Sequence, residues 1–181
     1  MENPRFLEPC RGSDKRSLRA TIGSAFLRPD AVPRAKIATR LFMEQASVQV
    51  QNKALVQASF ERWGNGNGGP FELLAPDVEW TIVGSSPLSK TYHSKQEFLD
   101  EVIGPFNARM AVPLVPTIRG LYADGDTVII VDAAATAKDG VPYRNTYTWY
   151  FQMNAGQVTK ATAFFDTREF DEFWSRVSPA L

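Results

Sequence analysis

Cysteine and histidine are almost missing from this chain, and the shortage excludes whole classes of chemistry. One cysteine, Cys10, stands among 181 residues. A disulfide framework within the chain is therefore impossible, and a reducing, cytoplasmic setting is expected. One histidine, His93, rules out a zinc site built from His and Cys, which needs three or four such ligands. No EF-hand or phosphate-loop spacing occurs, so neither a metal nor another cofactor is expected. Uninterrupted apolar runs stay well short of the ~18–20 residues that span a bilayer. Net charge is also lacking: 20 Lys and Arg balance 20 Asp and Glu.

That balance hides an asymmetry. Residues 1–43 hold nine Lys and Arg against four Asp and Glu, and the remainder is correspondingly acidic. An acidic main body argues against nucleic acid as the principal partner. Residues 1–44 show scattered Pro, Gly, Ser and Arg and no sustained period, so an irregular or disordered extension is expected there. The alternative is that Met43 is the true start. The segment has no secretory h-region, and Glu2, Glu8, Asp14 and Asp30 count against an organellar transit peptide.

Residues 45–181 read as one domain. "VQNKALVQASFERW" places Val56, Phe60 and Trp63 on one face of a first helix. "GNGNGG" ends that helix, and Pro70 suits the first turn of a short second one. "DVEWTIV" reads as a strand. "SKQE" at Ser94–Glu97 is a capping box opening a helix with Phe98, Val102, Phe106 and Met110 at four-residue spacing. Gly104–Pro105 should interrupt it. Four strands follow, separated by Asp124–Gly125, Asp139–Gly140 and Asn154–Ala155–Gly156, all hairpin signals. "TREFDEFWSRV" closes the chain as a helix. The expectation is α+β: a curved antiparallel sheet wrapped around N-terminal helices, with a C-terminal helix.

Alternation along the strands sorts the candidate site residues. Tyr143, Asn145, Tyr147, Trp149 and Phe151 share one face, which suits either a pocket for a flat apolar ligand or a core or dimer face. Trp80 is core or pocket wall. Lys160, Thr162, Phe164 and Asp166 fall together on the last strand, and Phe164 is a candidate ligand contact. Ile130, Asp132 and Ala134 share a face of the strand two before it. Asp132 has apolar neighbours, so its carboxylate should be paired, hydrogen-bonded or protonated. Asp166 is either a working carboxylate or, with Glu169, the cap of the last helix. His93 precedes the capping box and reads as exposed.

The segment from Gln51 to Phe173 resembles the SnoaL-like, ketosteroid-isomerase-related proteins of the nuclear transport factor 2 superfamily. "W-x(3)-G-x(2)-P-L-x(2)-T-Y", "G-x-P-Y-x-N-x-Y", "G-x-V" and "F-D-T" carry the resemblance. It implies a cone-shaped α+β barrel with an apolar pocket, commonly a homodimer through the outer sheet face. The position of the isomerases' proton-shuttling Asp is Thr81 here, and that of their first-helix Tyr is about Phe60, so steroid isomerisation is not implied. The epoxide-hydrolase-like relatives use an Asp–Arg–Asp set whose last member matches Asp166, while the other two fall near Asp132 and Ala134. SnoaL-type cyclases use a pocket Asp, for which Asp166 or Asp132 is the candidate.

Two functions follow as expectations. One is a cofactor-independent acid/base enzyme of isomerase, cyclase or hydrolase type, acting on a small apolar or polycyclic substrate through Asp166 or Asp132. Tyr143, Asn145 or Tyr147 would then bind a developing oxyanion. The alternative is a non-catalytic binder or sensor using the same pocket, and a structural module with a self-filled pocket is a third possibility.

Overall fold

Val56 and Phe60, one helical turn apart, are buried, and they anchor the last turns of a helix (α1, Arg34–Gly64) against the sheet. The structure is a computed structural model that describes residues 34–179, without the side chains of residues 126 and 128–131. Most of the extension expected to be irregular lies outside the described residues. Its last part, from Arg34, is helical, so the expected boundary near residue 44 falls inside α1.

A 3-10 turn (Pro70–Leu73) begins at the proline that favoured it, and leads into β1 (Leu74–Ile82) and the two-residue β2 (Thr91–Tyr92). Ser94 caps α2 (Lys95–Phe98): its Oγ accepts from the Glu97 N–H at 3.0 Å. The Glu97 carboxylate reaches back one residue further than a standard capping box, accepting from the His93 N–H at 2.7 Å. His93 itself is exposed. The expected interruption at Gly104–Pro105 takes the form of a π turn, Leu99–Ile103, before α3 (Gly104–Asn107). The Gly104 N–H bonds to the Leu99 carbonyl. Widening the helix just ahead of Pro105 lets the chain stay helical past a residue that cannot donate.

Four long strands form the meander: β3 (Met110–Asp124), β4 (Asp126–Ala137), β5 (Pro142–Asn154) and β6 (Gln157–Phe165). β3 starts earlier than its sequence signal, across Pro113 and Pro116. It is an edge strand, where a missing N–H can face away from the ladder. At the β5–β6 turn Ala155 and Gly156 both have positive φ, 48° and 80°, as a type I′ hairpin requires. Helix α4 (Thr167–Arg176) closes the described chain.

The sheet order is β2-β1-β6-β5-β4-β3. The sheet is mixed rather than wholly antiparallel, because β1 pairs with β6 in parallel. No hairpin joins β1 to the meander, so nothing local sets its direction. Small residues on β6 make the junction possible. Ala161 lies beside Trp80 and Ala163 beside Trp149, and all four are buried. A larger side chain at either alanine would displace an indole.

Phe60 sits 2% exposed and its ring lies 5.7 Å from those of Trp63 and Trp149. Phe60→Ala should cost about 3–5 kcal/mol, measured as the shift in a urea unfolding curve. A cost below about 1 kcal/mol would mean that α1 is not anchored as described.

Candidate functional site

Packing of the helices onto the concave sheet face leaves a small cavity of about 70 Å³. Its wall is largely aromatic and includes Trp63, Phe71, Trp80, Phe98, Phe106 and Trp149. Trp80 and Phe98 stack at 4.2 Å, and Trp63 lies nearly parallel to Trp149 at 6.3 Å. Such contacts hold rings in fixed relation and add ~0.5–1.5 kcal/mol each beyond area burial. Among the described residues, Tyr147 and Asn107 are the wall residues with an oxygen-bearing side chain, and no Asp, Glu, Lys, Arg or His lines the space.

A chain of hydrogen bonds leads from this cavity to the start of α4. The Tyr147 and Tyr143 hydroxyls are 2.7 Å apart, and Asn145 Nδ2 donates to the Tyr143 hydroxyl at 3.0 Å. Asn145 also grips Asp166 twice: Nδ2 donates to its carbonyl and Oδ1 accepts from its N–H, both at 3.0 Å. Because the Tyr143 oxygen accepts from Asn145, it can pass its own proton towards Tyr147. In that arrangement the Tyr147 oxygen accepts and its own O–H is not used by Tyr143. Burial pushes Tyr143 up to about 12, and it pushes Tyr147 well above the ordinary tyrosine value. Both are neutral donors at physiological pH. Trp80 Nε1, beside the cavity, is buried without a hydrogen-bond partner among the described residues.

Both candidate aspartates lie elsewhere. Asp166 is the N-cap of α4: its Oδ1 accepts from the Arg168 N–H at 3.0 Å and the Glu169 N–H at 3.3 Å. Asp132 is ion-paired with Arg119 and accepts from Thr146 Oγ1 at 2.7 Å. Arg119 is the extra residue of a β-bulge between Ile118 and Gly120, which sets it beside Asp132. Together Asp132 and Asp166 line an open polar groove of about 540 Å³, with Arg119, Arg144, Thr146 and Glu169.

The structure brings Trp80, Tyr147 and Trp149 to the cavity, with Tyr143 and Asn145 directly behind. Phe164 is instead exposed at 43%, edge-on to Tyr150 on the outer face. The inward parity of β6 belongs to Ala161, Ala163 and Phe165, and Phe165 lines the cavity. Lys160 on the parity of Phe164 is the signal for that, since a lysine marks the solvent side. Thr81, at the position that holds an acid in the isomerases, bonds Thr91 across the β1–β2 ladder at 2.9 Å and does not line the cavity. Trp63, Phe71, Phe98, Phe106 and Phe170 were not candidates, because apolar helical spacing reads the same for a solid core as for a cavity wall.

No protein-family model matches the sequence, and no curated protein does. Solved structures do match. An NTF2-like protein of unknown function from Burkholderia pseudomallei aligns at TM-score 0.57 and 20% identity, covering 68% of this chain and 97% of that one. The chain has the NTF2-like fold. A candidate SnoaL-like polyketide cyclase from Jannaschia shares the NTF2-like architecture at TM-score 0.54 and 16% identity, covering 70% of this chain and 93% of that one. TerC, co-crystallised with polyporic acid, matches at TM-score 0.55 and 18% identity, covering 68% of this chain and 98% of that one. Among the described residues no helix is long and apolar enough to cross a membrane, and no acidic, His or Cys cluster could hold a metal.

Two outcomes are expected. Asp166→Ala loses the α4 cap and should cost about 0.5–2 kcal/mol, whereas Asn145→Ala orphans both Asp166 backbone groups and should cost about 1–3 kcal/mol. Denaturant melts of the two variants check this. The raised value of Tyr143, about 12, gives the sign of an alkaline effect. An unfolded tyrosine ionises near ~10, so this contribution is intact below that pH and is lost as pH rises towards about 12. Phenolate absorbance at 295 nm, followed alongside thermal melts over that range, reads it out.

Proposed function

We propose that this NTF2-like domain binds a small, flat, apolar ligand bearing one acceptor oxygen, and does so without a carboxylate acting on it. The observation that carries this reading is a cavity wall which, among the described residues, is aromatic and apolar and holds no carboxylate. Two residues of the wall carry neutral donors instead: Tyr147, whose hydroxyl is backed by Tyr143 and Asn145, and Trp80, whose buried indole N–H has no partner among the described residues. A ligand carbonyl or hydroxyl oxygen would satisfy either one, while the aromatic wall would cover its ring faces. TerC, which shares the fold, is co-crystallised with a small molecule, polyporic acid.

Acid/base catalysis is the second reading, and one observation favours it: Asp132 and Asp166 share the polar groove. In that groove both carboxylates already have partners, Asp132 in Arg119 and Thr146 and Asp166 in the first amides of α4. A homodimer through the outer sheet face is the partner arrangement we favour, supported by the exposed pair Tyr150 and Phe164 on that face. Phe164→Lys should shift the protein towards monomer in sedimentation velocity.

Phenol and toluene, titrated by NMR of the indole N–H signals, test the ligand reading. Phenol should bind more tightly, and Tyr147→Phe should weaken phenol about fivefold while sparing toluene. Asp132→Asn and Asp166→Asn should leave both affinities unchanged. Loss of binding in either Asn variant would favour the acid/base reading, and equal affinities for the two probes in the unaltered protein would remove Tyr147 from the site.

A further inference from the structure

The cavity is smaller than its proposed ligand. About 70 Å³ is roughly half the ~150 Å³ of an apolar cavity that accepts benzene, so some part of the wall must yield. A second hollow identifies which part. A vestibule of about 240 Å³ lies at the C-terminal end of α1, bordered by Gly68, Gly69 and Glu72. It shares four wall residues with the cavity: Trp63, Phe71, Ile103 and Asn107. These four are the partition between the two spaces.

Each shared residue sits where movement or contact is easy. Trp63 is half-buried in the last turn of α1, and the chain beyond it, residues 64–69, is Gly and Asn only. Backbone hydrogen bonds to α1 and the Trp63 ring hold that loop inward: Gly69 lies against the ring, and a Cβ there would fall 3.5 Å from it. Gly68 has φ 90°, and a side chain would collide with the Glu72 carboxylate, so the loop can pass this point as glycine alone. The closure across the loop is one exposed ion pair, Arg62 to Glu72 at 3.3 Å, a type that contributes little. Ile103 ends the π turn and Asn107 ends α3. The exposed Asn107 amide makes no hydrogen bond to the described residues, although it borders both spaces. Merged, the two volumes reach the lower end of the ~300–1,000 Å³ typical of small-molecule sites.

We infer that the vestibule is the outer half of the ligand site, opened by displacement of Trp63 and Phe71, and that the ligand has two linked planar rings with its oxygen at the Tyr147 end. The inner ring takes the cavity, the outer ring replaces Trp63 against Phe71 and the glycine loop, and Asn107 is available to a polar group on the outer ring. Trp63 then sets specificity: it admits a second ring only by moving.

This inference rests on the cavity reading, so the test uses phenol and 4-phenylphenol, one ring and two, on the full chain. In the unaltered protein, 4-phenylphenol should shift the Gly68 and Gly69 amide signals and phenol should not. Trp63→Ala should raise the affinity ratio of 4-phenylphenol to phenol at least tenfold. Trp63→Phe, which keeps a ring against Trp149 should the alanine variant fail to fold, should raise it less. Phenol binding with no response of the glycine amides to 4-phenylphenol, and no change of ratio in either variant, would overturn the two-part site and leave the cavity reading standing. Binding of neither probe would overturn both.

Discussion

One side chain, the amide of Asn145, fixes the relation between the sheet and the last helix. A side-chain amide presents a donor and an acceptor side by side, as a neighbouring strand would, and Asn145 uses both on Asp166. The ladder between β5 and β6 runs out at Tyr147 and Phe165, so Asn145 extends pairing by one step where the backbone turns away. Asp166 is thereby held in the extended conformation that a cap needs, with its carboxylate over the Arg168 and Glu169 amides. Helix α4 then brings Phe170 and Phe173 onto Phe106 and Tyr143. The same Asn145 nitrogen supports Tyr143, and through it Tyr147. Cavity chemistry and helix docking therefore share one group.

The second constraint is volume. Two alanines on β6 let Trp80 and Trp149 lie close to the sheet, and the remaining space fills with Phe71, Phe98 and Trp63. Rings pack to interior density only when their edges and faces interlock, which leaves small gaps rather than one large void. The cavity is such a gap. Its wall comes from residues that also carry the fold, Trp80, Phe98, Phe106, Tyr147 and Trp149 among them, so reshaping the cavity changes the core as well.

Features determined by near neighbours in the chain were legible in the sequence. The Ser94–Glu97 cap, the three hairpin turns and the shared face of Tyr143, Asn145, Tyr147 and Trp149 all depend on spacing of a few residues. Features set by long-range geometry were not. The direction of β1 is decided by its partner β6, some eighty residues later in the chain on a rough count, and no turn records it. Arg119 reaches Asp132 only because a bulge turns it to that side. Phe164 and Phe165 are both phenylalanine, so hydrophobicity cannot say which faces in; Lys160, four residues earlier on the outer parity, can.

Asp166 shows how far a motif can mislead about chemistry. As a D-x-x-E sequence it announces a helix cap, and as the acid after "AFF" it matches a catalytic position in one branch of the fold. Both statements concern the same carboxylate, and its hydrogen bonds choose between them. One oxygen, Oδ1, accepts from both the Arg168 and the Glu169 N–H, which is the bonding of a helix N-cap. The geometry makes Asp166 the cap of α4, and it places that carboxylate in the groove with Asp132, apart from the cavity that Tyr147 and Trp80 line.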